Sequence, residues 1–375
     1  MPLGSGKNML YQCALPFLGL PVNWQATTPV QKAMKKRKVV GASIQRFEKG
    51  KLTESHHMGL RIRSDSTSTV NKNTMFRTAS ITKMVMALLV LRLQSLNLIH
   101  VTETLTELLG YTVCNPHCQT APITLAMLLS HTSSIIDSEN YQSKLNSPTS
   151  LRKLLLNDHS FSNYIPGTTF IYSNLAAGIV GSVLEERMNM NLESIAQEYL
   201  FKPLKIHATF DVTTLKQEEI ADCYRVLPKE HTLDMALRIE NTNALTNVLP
   251  DKHYTFASGN LFTTASDLAK LMLVAHNGAN GFLGDKELRL IKQPIADWPD
   301  RTIHLQHGMG MFQLNSPTIS NRRLWGHQGF AYGAVNGAFM DEHGSGFVLL
   351  NNGASEQRIG HLAIINRDLI KMFMR

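Results

Sequence analysis

The chain has 375 residues, 43% of them hydrophobic and 18% charged, with a formal net charge of +8. That length and apolar content mark a globular protein with a large buried core, in one big domain or two intimate ones. Four cysteines are too few for a disulfide scaffold in a chain of this size, and no apolar run reaches the length of a membrane span. The charge suits anionic partners, such as cell-wall polymers, membrane surfaces or nucleic acid, without choosing among them.

In chain order, residues 1–25 read as an extended arm. The stretch Met9–Leu20, after Lys7, is only faintly like a secretory signal: Gln12 and Pro16 interrupt it, and no clear small-residue cleavage site follows. Cys13 follows Leu10 at lipoprotein-like spacing, but Tyr11 and Gln12 are too large for such a site. The compartment stays open, and is extracytoplasmic if a leader has been removed and the substrate is cell wall. A helix capped by Thr28, with Pro29 at its first position, carries Lys32, Lys35, Lys36, Arg37 and Lys38. Such a cluster reads as a solvated helix face, so no nucleic-acid partner is expected.

Val39–Phe47, a turn at Glu48-Lys49-Gly50-Lys51 and Leu52–Leu60 read as a hairpin. Phe76-Arg77-Thr78-Ala79-Ser80-Ile81-Thr82-Lys83 then leads into Met84–Leu91, an apolar run long enough for a buried helix. Cys114, His117 and Cys118 offer three donors in a proline-containing loop without a convincing fourth, so neither metal nor other cofactor is expected. His131, near Ser130 and Ser133 at an apolar helix end, reads as structural. Tyr172-Ser173-Asn174 opens another buried helix at Leu175–Val180. Gly308–Leu314, Arg323–Gly329, Ala334–Met340 and Gly346–Leu350 read as strands, and Leu362, Ile365, Leu369 and Phe373 form one helical stripe. The expected class is α+β. A mostly antiparallel sheet with terminal helices, from residues 26–96 and 271–375, would face a helix-rich domain at 97–270, with the site in the cleft between them.

Ser80 and Lys83 are three apart at a helix start, which puts both on one face with the ammonium able to approach the hydroxyl. Lysine is rarely buried without a partner or a task. Two companions follow in order: Tyr172-Ser173-Asn174, then His327-Gln328-Gly329 in a strand whose glycines let a ligand approach the backbone. Ser-x-x-Lys, Tyr-x-Asn and a basic-x-Gly strand together resemble the penicillin-recognising serine hydrolases. The similarity is to the branch of class C β-lactamases, D-alanyl-D-alanine carboxypeptidases and related esterases, and it runs from about Thr28 to the C-terminus. Leu128–Ile135, Ser258–Leu268 and Gly308–Phe312 also look like segments of that family, which implies a β-lactamase/transpeptidase-like fold.

A serine hydroxyl needs a base within hydrogen-bond reach. No Gly-x-Ser-x-Gly elbow occurs, so Lys83 and Tyr172 are the available bases. Either must ionise about 3 pH units below its ordinary range to serve at neutral pH, and the two would share a proton as a coupled pair. Ser80 would attack a carbonyl, Lys83 and Tyr172 would take its proton, and Asn174 would hold Lys83 and the substrate amide. The resemblance implies that the backbone N–H groups of Ser80 and Phe330 form the oxyanion hole, and that His327, Gln328 and Gly329 contact substrate. His327 stands where β-lactamases carry lysine, and Gln328 where they carry threonine, which weakens recognition of a free carboxylate. A charged His327 would bind anions only below about pH 6.5. The expected activity is that of a D-alanyl-D-alanine carboxypeptidase-like enzyme or D-amino-acid peptidase on small-molecule or peptide acyl substrates, among them peptidoglycan fragments or β-lactams. The alternatives are a carboxylesterase, a class C-like β-lactamase, or a catalytically inactive binding protein of the same fold.

Overall fold

Strands from both ends of the chain meet in one eight-stranded antiparallel sheet in the computed structural model, which describes residues 26–139, 141, 149–225, 231–233, 247–300 and 302–374. The arm at residues 1–25, with Cys13, lies outside the described residues. In chain order the strands are β1 (Gly41–Glu48), β2 (Lys51–Gly59), β3 (Ala296–Trp298), β4 (Leu305–His307), β5 (Phe312–Leu314), β6 (Leu324–Ala331), β7 (Ala334–Asp341) and β8 (Gly346–Asn351). Their spatial order is β2-β1-β8-β7-β6-β5-β4-β3. The N-terminal hairpin is thus stitched to β8, with Ala42 opposite Asn351 and Phe47 opposite Gly346. Helix α1 (Pro29–Lys36) begins at a Thr28 cap completed by the Gln31 side chain, with Pro29 at its first position.

The central strands are apolar on both sides because both faces of the sheet are covered. In β8, Phe347 and Leu349 face α1 and the C-terminal helix, while Val348 and Leu350 join the larger core on the opposite face. That larger core holds α2 (Thr82–Ser95), α3 (Asn174–Met188) and α4 (Ala265–Asn277). Every residue of α2 from Thr82 to Leu91 is buried, as expected of a helix with no polar face. The C-terminal helix α5 (Ile364–Phe373) buries Ile365, Leu369 and Ile370. Leu362, the first residue of the expected stripe, is instead in a two-residue strand ahead of the helix.

Two further expectations change. Gly308–Leu314 is not one strand: residues 308–311 turn between β4 and β5, with Gly310 at a positive φ of 72°. A Cβ there would lie 2.5 Å from that of Ala87, so the turn needs glycine to press against α2. Strand β3, at the sheet edge, adds residues that the periodicity left unassigned.

Helix α3 is tied to the segment that leads into the site by a buried pair. The Glu185 carboxylate accepts hydrogen bonds from His253 Nδ1 at 2.8 Å, Leu192 N at 2.8 Å and Leu249 N at 3.1 Å. Removing one side of such a cluster leaves the other buried and unsatisfied. Glu185→Leu is therefore expected to destabilise the fold by about 3–5 kcal/mol, read from the midpoint of denaturant unfolding. A change below about 1 kcal/mol would show that the cluster is dispensable.

Candidate active site

The nucleophile candidate occupies a turn that is clamped from two sides. Ser80 lies in a short 3-10 turn, Ala79–Ile81, immediately before α2, and no side chain caps either helical start. Ser80 is thus not acting as a helix cap. Ala79 has a left-handed φ of 52°, a strained conformation for a residue with a Cβ. Neighbouring backbone imposes it: Thr78 N donates to Leu261 O at 2.8 Å, and Asn336 Nδ2 donates to Arg77 O at 2.8 Å. Gly329 closes the other side, where a Cβ would run into Thr78 O and stand 3.1 Å from Ser80 N. The glycine of His-x-Gly is therefore required for β6 to approach the serine backbone.

Lys83, buried at the second position of α2, reaches back to Ser80. Its Nζ is 3.2 Å from Ser80 Oγ, 2.9 Å from Asn174 Oδ1 and 2.7 Å from Ser258 O. Burial is the largest influence and lowers the Lys83 pKa to about 7, with Asp137 opposing the change and Arg77 adding to it. A neutral amine has two N–H bonds and one lone pair. Asn174 and Ser258 accept both N–H bonds, so the lone pair points at Ser80.

Tyr172 sits just before α3, and its hydroxyl shares a hydrogen bond with Ser80. Its ring centroid is 5.0 Å from Lys83 Nζ. Burial pushes the phenol well above its ordinary range, and the Ser80 bond only partly offsets this. The coupled pair of the sequence reading therefore resolves unevenly in the free protein: Tyr172 keeps its proton, while Lys83 can lose one near neutral pH.

The third motif divides between two faces. Strand alternation points His327 and Gly329 toward Ser80, and Gln328 and Phe330 toward α5. Gln328 bonds to His361 O, Ala363 N and Asn366 Nδ2, so its side chain does not line the cleft as expected. His327 is buried, and its Nδ1–H donates to Gln328 O at 2.6 Å. Burial, then His307 and Lys83, hold its pKa well below the usual histidine range. This direction favours the neutral imidazole over the cation that would bind anions. The Phe330 ring packs beneath the Arg358 guanidinium, 3.7 Å from its carbon to the ring centroid.

Several site residues escaped the motif reading. His131 lies against Tyr172 with ring centroids 4.4 Å apart, and its Nδ1 accepts from Ser173 N at 3.2 Å. His307 packs on His131 at 4.9 Å and is lowered to about 4 by burial. Trp298 of β3 stacks on Tyr172 at 5.5 Å and packs on Phe170 at 5.0 Å and His361 at 4.8 Å, forming an aromatic wall. Asp137 accepts from Ser173 Oγ, Asn174 Nδ2 and Leu175 N at 2.9, 2.8 and 2.8 Å. Its only sequence signal is a carboxylate two residues beyond the Leu128–Ile135 stretch. Among the described residues no His, Cys, Asp and Glu cluster could hold a metal ion, and no helix is long and apolar enough to cross a membrane. A 280 Å³ groove bordered by Leu204, Ile206, Lys270 and Asn277 contains none of the motif residues.

This serine, lysine and tyrosine constellation, set between a two-sided sheet and a helical body, defines a class of protein that comparison with known chains identifies. The family model for Beta-lactamase matches residues 28–370. The chain belongs to that family of serine hydrolases and has its β-lactamase/transpeptidase-like fold. Among solved structures, EstCE1, a hydrolase with promiscuous acyltransferase activity, aligns with a TM-score of 0.73 at 19% identity, over 91% of this chain and 97% of that one. The D-amino acid amidase of Ochrobactrum anthropi SV3, complexed with L-phenylalanine amide, aligns at 0.69 and 20% identity, over 92% and 97%. Among curated proteins, a probable fimbrial assembly protein FimD, serogroup H1, of Dichelobacter nodosus is 23% identical over 279 residues, 73% of this chain. The match spans 65% of that relative's length.

A neutral His327 has a direct spectroscopic consequence. Its imidazole resonances are expected not to titrate between about pH 5 and 8. A midpoint near 6.5 would restore the cationic role.

Proposed function

We propose that the chain is a serine acyl hydrolase that forms an acyl-enzyme on Ser80, with a D-amino-acid peptidase or D-alanyl-D-alanine carboxypeptidase-like specificity. The observation that carries the reading is the buried Lys83 amine, 3.2 Å from Ser80 Oγ and shifted to about 7. In the first half-reaction Ser80 Oγ bonds to the substrate carbonyl carbon while its proton passes to Lys83. The backbone N–H groups of Ser80 and Phe330 receive the oxyanion, a role supported by the close approach of Gly329 to Ser80 N. Tyr172 relays the proton to the leaving group as the carbon–heteroatom bond breaks. Water then attacks the ester, its proton returns through the same groups, and Ser80 is released.

Substrate charge separates the peptidase readings. With His327 neutral and Gln328 turned away, a free carboxylate would have to be met elsewhere, and Arg358 is placed to meet it, close enough to Tyr172 to influence its ionisation. A second reading, a carboxylesterase, is favoured by the aromatic wall of Trp298, Phe170 and Tyr172, which suits an uncharged apolar acyl group.

Intact mass spectrometry of wild type and Ser80→Ala, after incubation with a fluorescent penicillin, a D-amino-acid p-nitroanilide and p-nitrophenyl acetate, tests the proposal. A Ser80-dependent adduct or turnover is expected, and an adduct that survives in Ser80→Ala would remove the nucleophile assignment. Ester turnover without a penicillin adduct would favour the esterase. No reaction at all would leave a binding protein of this fold.

Because the reactive form is the neutral amine, kcat/KM should rise with pH through about 7 and then level off. Lys83→Ala should lower kcat by about 10²–10⁴-fold. Arg358→Ala should raise KM about tenfold for substrates ending in a free carboxylate, about 1.4 kcal/mol, and leave a neutral ester unaffected. Equal effects on both would reject an anionic subsite there.

A further inference from the structure

We infer that Asp137 is a positioning residue that orients the Asn174 amide, and thereby keeps the Lys83 lone pair available to Ser80. The inference rests on the acyl-hydrolase reading for its consequence in turnover, but its geometry is independent of any substrate.

The Asp137 carboxylate has two oxygens with separate tasks. Oδ1 accepts from Ser173 Oγ and Leu175 N, and so ties down the first turn of α3; Oδ2 accepts from Asn174 Nδ2 at 2.8 Å. A carboxylate only accepts, so it dictates which end of a neighbouring amide faces it. The Asn174 nitrogen must turn to Asp137, which leaves Oδ1 directed at Lys83 Nζ, 2.9 Å away. With the amide reversed, an N–H donor would face the amine and occupy the lone pair that should receive the serine proton. Asp137 acts on Lys83 without touching it, through one amide with two ends.

Charge adds to orientation. Asp137 is the group that raises the proton affinity of Lys83 against burial, while Arg77 lowers it. The other titratable groups around the amine are Tyr172, which keeps its proton, and His131, His307 and His327, all shifted down by burial. Tyr141 also feels Asp137 and is pushed up by burial, so it too stays neutral. Asp137 is therefore the anionic partner that counteracts burial at the amine. Without it, the amine should lose its proton at lower pH and face a mis-set amide.

Two readings of Asp137→Asn test this. The first is the pH titration of the Lys83 side-chain carbon resonance, recorded in a Ser80→Ala background so that no turnover is needed. The second is the pH dependence of kcat/KM for p-nitrophenyl acetate with Ser80 intact. The titration midpoint is expected to fall from about 7 by about one pH unit or more, the acid limb of kcat/KM should move with it, and plateau kcat should drop about tenfold or more. A purely structural cap would lower stability while leaving the midpoint in place, and that result overturns the inference. If Asp137→Asn does not fold, Asn174→Leu keeps the Asp137 bonds to Ser173 and Leu175 while removing the amide. An unmoved Lys83 midpoint in that variant overturns the inference as well. A moved midpoint in a protein whose wild type is neither acylated by penicillin nor turns over the anilide or the ester sustains the positioning role and removes the hydrolase reading instead.

Discussion

A lysine amine enclosed by protein is the constraint on which the site depends. Bringing its pKa from 10.5 to about 7 corresponds to roughly 5 kcal/mol of disfavoured charge. The fold tolerates this because the amine is not left unpaired: Ser258 O, Asn174 Oδ1 and Ser80 Oγ each take a direction. Each partner comes from a different part of the chain. Ser80 is on the turn before α2, Asn174 begins α3, and Ser258 lies in the segment leading toward α4. The amine is thus where three otherwise separate pieces of backbone must agree.

That agreement explains features that seem unrelated to chemistry. Gly178 in α3 has no side chain where the Tyr254 carbonyl passes, so the segment bearing Ser258 can lie against the helix bearing Asn174. Glu185 fixes the same two pieces further along, through His253 and the amides of Leu192 and Leu249. On the sheet side, Gly329 and Asn336 hold the backbone of residues 77–80. The strain at Ala79 falls on the residue next to Ser80, where close packing on both sides can hold it.

Much of this was legible in the residue pattern, and the reasons are local. The Thr28 cap, the β1–β2 hairpin, the apolar α2 and the both-sided β7 and β8 announce themselves through turn residues and periodicity over short spans. Ser80, Lys83, Tyr172 and Asn174 share a short stretch or an ordered motif, and the structure gathers them around one amine. Gln328 shows a different lesson: the period of a strand already separated it from His327, but reading the motif as a unit hid the alternation. His327 was recognised by position, while its charge was left open by the motif, since burial and the neighbouring His307 and Lys83 that hold its pKa down are set by the tertiary fold. Asp137 and Trp298 had no motif to carry them. Their roles arise from tertiary neighbours alone, as does the turn at residues 308–311, whose Gly310 is demanded by the surface of α2.

The stitching of β1 between β2 and β8 has a consequence for how the chain is made. When residues 41–59 emerge from the ribosome as a hairpin, the outer edge of β1 has no partner, and it gains one only after residues 346–351 have been synthesised. For nearly the whole of translation a hydrophobic strand edge is open to pairing with other chains. Closing such a long-range pair is slow, because its ordering cost comes before its contacts. The early hairpin should therefore depend on chaperone shelter more than any later element of the sheet, and the turn that bears Ser80 would acquire its final shape only when the last sheet strand docks.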